Sequence, residues 1–319
     1  MIEGVSSVMK PVSFGARSTA DHVLAGIDLT GKRYLVTGCN SGIGFETMNA
    51  LAANGAQVLG LARTLQAAAH ACREAGPSCI PVACDLSDLD SVQAAAQWIR
   101  QMQVSLDAVV ANAAVAHVPV LEVRHGVELQ FLVNHVAHFA LVNALADLVR
   151  DAGRIVIVCG APSQKLAPPE GIMFDNLDGG RFYRASLFYG QSKLANALYA
   201  KELSRRLSGR GIAVNAADPG TTRGTGLYRS CGRWLRAARA LSGRLMKSAA
   251  QGAATQSLLA ASPRVAGISG EYWSNCAVAE ADPRCNDPEL ARRLWVLSEA
   301  IVSGHRTAPA PIASLSRAA

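Results

Sequence analysis

The chain has 319 residues, 50% hydrophobic and only 17% charged, so it can bury a substantial core and is not a disordered polymer. A net charge of +7 invites nucleic acid or an anionic membrane as partner, yet acids and bases are interspersed along most of the sequence, and general basicity without nucleic acid is the expectation. No apolar run approaches the ~20 residues that cross a bilayer, which leaves peripheral contact as the one membrane association still open. The eight cysteines form no paired CxxC units and have no His-rich cluster near them, so no metal is expected. The N-terminus lacks the basic start and apolar run of a signal peptide, which favours free thiols in a reducing cytoplasm.

Residues 1–27 lack a strand pattern and read as an N-terminal arm with a short helix, capped by Ser18 or Thr19 and stopped by Gly26. A strand through Tyr34–Val36 then leads into the run TGCNSGIG, Thr37 to Gly44, and a helix as far as Asn54. Gly38 permits a sharp exit from the strand, Gly42 lets phosphate oxygens approach the backbone, and Gly44 lets helix and sheet pack closely while helix N-terminal amides face a pyrophosphate. A dinucleotide is the natural ligand of such a turn. The second strand, 55–63, ends in Ala62 and Arg63, where an acidic residue would bind the ribose hydroxyls of NAD. A cation there favours NADP instead.

A helix over 65–74 and a third strand over 80–85 follow. Asp85, with Leu86, closes that strand, where its carboxylate can accept from an adenine amino group and can equally cap the helix running from Asp88, roles that do not exclude each other. The fourth strand begins at Leu106 and leaves Asn112 and the small Ala113 at its end, beside the expected cofactor cleft. A long helical pattern over 120–149 contains Asn134 among apolar neighbours. An unpaired buried amide costs roughly 1–3 kcal/mol, so Asn134 is either a satisfied core amide or a device that holds water and a neighbouring lysine. The fifth strand, 153–159, is almost continuously apolar, as a parallel strand buried on both faces should be.

An irregular stretch with Gly160 and Ser163 leads to a helix that carries Tyr189 and Lys193. Four residues apart, they share one face. The ammonium favours phenolate, lowering a tyrosine pKa that is otherwise near ~10. A sixth strand over 212–218 precedes the turn Pro219, Gly220, Thr222. Between 222 and 247, arginines alternate with apolar residues, a pattern that suits a substrate lid, a membrane-surface helix or a solvated helix face. A helix over 248–260, a seventh strand over 270–273 and an amphipathic helix over 290–301 complete the pattern. The Pro-, Ala- and Ser-rich residues 303–319 read as a disordered tail. Alternating strands and helices predict one α/β domain over 28–302, a Rossmann-like doubly wound fold with a seven-stranded parallel sheet.

Taken together, these motifs resemble the short-chain dehydrogenase/reductase family over about residues 28–302. TGxxxGIG is present from Thr37 to Gly44 and includes Asn40, Ser41 and Ile43; YxxxK runs from Tyr189 to Lys193; Asn112 to Ala114 matches the family's NAG-like segment and Pro219–Gly220 its PG turn. Asn134 matches its helix asparagine. Within the family the chain is most like the retinol dehydrogenase and WW-domain oxidoreductase branch, through residues 134–139, 189–196, 269–276 and 291–295. One departure stands out: the family's strand-end Ser-Ser pair is Cys159–Gly160 here, and Ser163, three residues on, is the expected substitute for the missing catalytic hydroxyl. Cys159 suits that role less well, since a thiol is a weak donor.

The resemblance implies an oxidoreductase that moves a hydride between a nicotinamide and a carbonyl or secondary alcohol, NADP(H) being preferred and NAD(H) the alternative. It makes Tyr189 the general acid/base. Lys193 would tune the phenol and bind the nicotinamide ribose, and Asn134 would hold a water that resupplies protons. The substrate is expected to be an apolar small molecule, and the assembly a homodimer or homotetramer. Two other classes are compatible with the missing serine: a non-catalytic NADP-binding sensor or scaffold, and an epimerase or dehydratase in which the cofactor cycles internally.

Overall fold

Strands joined in parallel need crossovers that return the chain to the same end of the sheet, and the apolar runs of this sequence are spaced by helices long enough to do so. The structure, a computed structural model, describes residues 13–223 and 246–305. Helix α1 (Ala20–Leu24), capped by Thr19, precedes β1 (Arg33–Thr37), α2 (Gly42–Ala53), β2 (Gln57–Ala62), α3 (Leu65–Ala75), β3 (Cys79–Ala83), α4 (Leu89–Gln101) and β4 (Leu106–Ala111). A two-stranded hairpin, β5 (Val123–Arg124) and β6 (Val127–Glu128), leads to α5 (Leu129–Phe131), a π-helical turn over Leu132–Val136, and α6 (Ala137–Leu145). After β7 (Val149–Val158) come α7 (Ala161–Gln164), α8 (Ala185–Arg206), β8 (Ala213–Asp218), α9 (Ala249–Ala261), β9 (Tyr272–Ser274), β10 (Ala277–Val278) and α10 (Pro288–His305).

The main sheet has the order β10-β9-β8-β7-β4-β1-β2-β3. Seven of its strands run parallel, as expected, and β10 adds an eighth, antiparallel edge strand that the sequence pattern does not announce. Its two residues are too short to carry a period of two. Apolar cores cover both faces. One is built around Leu35, Phe131, Leu141 and Leu198 beneath α4, α6, α8 and α10. The other gathers Val36, Met48, Leu51 and Leu258 beneath α1, α2, α3 and α9.

Several boundaries differ from the sequence reading. Residues 120–128 are not helical, because His125 and Gly126 both take positive φ and reverse the chain, a conformation that breaks a helix and suits a two-residue hairpin turn. The cap of α4 is Asp88, whose side chain accepts from the Asp90 amide, and not Asp85. Ser303 to His305 belong to α10 and not to a tail. The sequence-predicted lid lies outside the described residues except at its ends, Thr222–Arg223 and Met246–Lys247, as do the tail from 306 on and the first twelve residues of the arm.

Candidate active site

The strand order reverses between β1 and β4. After β3 the chain crosses to the far side of β1, so the connections leaving β1 and β4 diverge and open a crevice at their carboxyl ends. The glycine turn lies there. Gly38 and Gly42 hold φ of 71° and 58°, a region other residues rarely adopt. Gly44 answers a packing demand: a Cβ there would run into the Gly38 carbonyl and the Asn112 side chain. Ser41, at the N-cap of α2, gives no side-chain cap, which leaves the first-turn amides open toward an anion. This cradle, which any larger residue would fill, fits the pyrophosphate of a dinucleotide.

Asn112 and Ala113 meet the turn directly. Both of their amides donate to Thr37 Oγ1, at 2.9 and 3.0 Å, and Asn112 Nδ2 donates to the Thr37 carbonyl at 2.9 Å. With two donors on its oxygen, Thr37 gives its own proton to His138 Nε2 at 2.9 Å, and His138 Nδ1 donates to the Asn134 carbonyl at 3.0 Å. Gln256 on α9 donates to Thr47 Oγ1 and to Asn112 Oδ1, pinning the same corner from the other face.

Across the crevice, α8 buries Tyr189 and Lys193, 5% and 2% exposed. Lys193 Nζ lies 6.0 Å from the centre of the Tyr189 ring and donates to the Val158 carbonyl at 3.3 Å, where Asn196 also donates. Burial lowers the Lys193 pKa to about 8, opposed by Cys159 and Asp218, so the ammonium form still predominates at neutral pH. Gly190 has no room for a Cβ against the backbone of Leu166 and Ala167, so the segment after α7 closes tightly on the helix beside Tyr189.

Asn134 is wholly buried in the π-helical turn, a distortion often found at functional sites. Its Oδ1 accepts from the Val115 amide at 2.8 Å. Its Nδ2 donates to the Val115 carbonyl and to Ser192 Oγ, both at 2.9 Å, and Ser192 donates in turn to the Tyr189 carbonyl. Of the two readings of this amide, the satisfied one describes its side chain. The chain Thr37–His138–Asn134–Ser192 thereby ties the glycine turn to the helix of Tyr189.

At the end of β7, Cys159 is buried and donates to the Ile157 carbonyl at 3.4 Å, and burial pushes its thiol pKa up. Ser163 lies in α7 with its Oγ 3.2 Å from the point where a Cβ on Gly160 would stand. Its hydroxyl therefore occupies the neighbourhood that a residue-160 side chain would fill.

The remaining sequence-predicted residues line the same end of the sheet. Arg63 is exposed just beyond β2. Asp85 Oδ1 accepts from the amide and hydroxyl of Ser87, at 2.9 and 2.8 Å, and Leu86 is buried beside it. Gly220 has φ of 72°, with Lys247 packed where a Cβ would project, and the Thr222 hydroxyl donates to the Gly220 carbonyl at 3.1 Å. Half-buried Ile43 packs where a Cβ on Gly252 would stand, while Asn40 is exposed at the turn.

The sequence reading assigns no role to Thr37, His138, Ser192, Gln256 or His117. His138 stands four residues after Asn134, a helical spacing that could have flagged it. His117 offers no such signal: it sits in the loop after β4 at φ 51°, its ring 5.1 Å from that of Tyr189.

A phosphate cradle at the switch point, with a phenol and an ammonium buried across from it, is the layout of a nucleotide-dependent oxidoreductase. The family model described as short chain dehydrogenase matches residues 32–169. The human WW domain-containing oxidoreductase is 37% identical over 302 residues, covering 91% of this chain and 72% of that protein. Retinol dehydrogenase 14 of Mus musculus is 38% identical over 292 residues, covering 85% and 86%. Among solved structures, a short chain dehydrogenase from Burkholderia cenocepacia J2315 in complex with NADP is 26% identical, with a TM-score of 0.61 over 76% of this chain and 96% of that one. The chain belongs to the short-chain dehydrogenase/reductase family.

Proposed function

We propose that the protein is an NADP-dependent oxidoreductase that interconverts a carbonyl and a secondary alcohol on a largely apolar small molecule. The observation that carries the reading is the burial of Tyr189 and Lys193 on one face of α8, directed at the strand ends that also hold the glycine turn. Bound NADPH supplies the hydride. Tyr189 gives its phenolic proton to the carbonyl oxygen as the alcohol forms and takes it back in the reverse direction, as a general acid/base. Lys193 stabilises the phenolate left behind and faces the nicotinamide ribose. Asn134 acts as a positioning residue, because its amide fixes the Val115 loop and Ser192 on the helix of Tyr189. Ser163 holds the substrate oxygen in place of the hydroxyl that Gly160 lacks.

Gly38, Asn40, Ser41, Gly42, Ile43 and Gly44 surround the pyrophosphate in this reading. Asn112, Ala113, Pro219, Gly220 and Thr222 flank the nicotinamide half, and Asp85 with Leu86 receives the adenine. Arg63 reads the 2′-phosphate in this reading, and the related Burkholderia cenocepacia structure holds NADP. The seven described cysteines are all free and buried, which suits a reducing cytoplasm, and a homodimer or homotetramer is the expected assembly. None of the described helices is long and apolar enough to cross a membrane.

The test is a spectrophotometric screen of alcohols with NADP⁺ and of ketones and aldehydes with NADPH, run beside Tyr189→Phe. Turnover on at least one substrate, reduced about 10²–10⁴-fold in the variant with NADPH affinity unchanged, is the expected result. Tight NADPH binding with no turnover across the panel would instead make this a sensor or scaffold.

A further inference from the structure

Away from the crevice, three elements distant in sequence bring together two imidazoles and two carboxylates. Asp88 caps α4, His125 sits in the turn between β5 and β6, and His305 is the last residue of α10. One ligand atom from each of Asp88, His125 and His305 lies within 4.8 Å of the other two. We propose that Asp88, His125 and His305 form a binding site for a borderline divalent cation of the zinc type, which clamps the end of α10 to the start of α4.

The geometry of the nitrogens supports this. His125 Nδ1 and His305 Nδ1 are 3.1 Å apart, although 180 residues separate them in sequence. Two donors at 2.0–2.1 Å on a tetrahedral zinc stand about 3.3 Å from each other, so the rings are already at nearly the spacing one ion requires. Positive φ at both His125 and Gly126 turns the hairpin and presents the His125 ring to this point. Two imidazoles with one carboxylate are a donor set for zinc, nickel, cobalt or copper, and not for calcium or magnesium.

A supporting partner is in place as well. His305 Nε2 donates to Asp90 Oδ1 at 3.0 Å, which keeps the proton on Nε2 and turns the Nδ1 lone pair toward His125. The carboxylate–imidazole–metal order is the arrangement that orients metal-bound histidines. Without an ion, the proton between the two Nδ1 atoms belongs to His125, since the Leu89 amide donates to His125 Nε2 at 3.3 Å. An ion held by both Nδ1 atoms displaces that proton to Nε2, and the Leu89 amide gives up its bond there. His125 and His305 are each about one-fifth exposed, and a groove of about 600 Å³ lined by both gives an ion its way in. The spacing of the three residues along the chain hides the site from any motif reading.

The experiment uses the full-length chain stripped of metal and then titrated with Zn²⁺ by calorimetry and with Co²⁺ by visible absorption. Expected are one equivalent of Zn²⁺, a tetrahedral Co²⁺ band and a Zn²⁺-dependent rise in Tm, all lost in the His125→Ala/His305→Ala double variant. Asp90→Asn should weaken Zn²⁺ binding about 10–100-fold while keeping the stoichiometry. Equal uptake by wild type and double variant, as scattered thiols would give, overturns the proposal, and so does the absence of uptake by wild type. Unchanged NADPH binding shows that the double variant is folded. Should it not fold, Asp88→Asn, at a well-exposed side chain, removes the carboxylate ligand and should weaken Zn²⁺ binding at least as far as Asp90→Asn does; binding unchanged in both overturns the proposal.

Discussion

If Ser163 offers the hydroxyl that Gly160 lacks, as proposed, moving it back to position 160 should restore activity. Gly160 has φ of 172°, extended backbone that any residue adopts, so a serine there strains nothing. In the wild type its Cβ would stand 3.2 Å from Ser163 Oγ, a tight contact that Ser163→Ala removes. Ser163→Ala is therefore expected to lower kcat about 10²–10³-fold, the usual cost of one oriented donor on a reacting oxygen, and Gly160→Ser in that background to recover most of it. The comparison is made by steady-state kinetics on the best substrate of the panel. A Ser163→Ala enzyme with full kcat would remove Ser163 from the reaction. At this scale the residues legible from sequence are those whose type is chemically costly to place: Tyr189 beside Lys193, and glycines where a side chain would collide. His117 and Ser192 were illegible because a loop histidine and a helical serine are common everywhere, and only the fold brings them to Tyr189.

The helix that carries Asn134 shows what a whole element adds. Its distortion has no sequence signature, and the hairpin before it is advertised by Gly126 alone, since His125 shares the positive φ without being a turn residue by type. The apolar strands, by contrast, can be read directly, because burial on both faces leaves them no polar alternative. Two histidines of this element are buried without charge. Desolvation lowers the pKa of His138 to about 4 and that of His135 to about 3, against ~6.5 in an unfolded chain. Between those limits the unfolded chain binds more protons than the folded one, so stability rises with pH. It is complete above roughly pH 6.5 and is lost as pH falls toward 4, by roughly 1.4 kcal/mol per pH unit for each histidine. Glu128, whose pKa burial raises, works in the opposite direction, so the comparison between variants matters more than the absolute slope. Urea unfolding at several pH values should give His138→Gln a slope shallower by about one histidine's contribution. Equal slopes would mean that His138 is protonated in the folded chain, and the bond from Thr37 to its Nε2 would then be misassigned.

For the whole molecule, the cofactor is a ligand of the folded state alone, because the cradle is assembled from β1, α2, β4 and α9 and has no counterpart in an unfolded chain. At one hundred times its Kd a nucleotide adds about 2.7 kcal/mol of stability, readable as a rise in Tm. NADPH and NADH differ only by the 2′-phosphate, so any difference in their shifts at equal concentration reports what the end of β2 recognises. Arg63, exposed just beyond that strand, is the cation proposed for that role. Arg63→Ala should cut the NADPH shift by the equivalent of about 1.4 kcal/mol for each tenfold loss of affinity, while the NADH shift stays as it was. A variant that lost both shifts equally would show Arg63 supporting the fold and not reading the phosphate. Wild-type protein stabilised more by NADH would reverse the proposed cofactor preference while leaving the proposed chemistry of Tyr189 and Lys193 untouched, because that reading sets those side chains at the other end of the nucleotide.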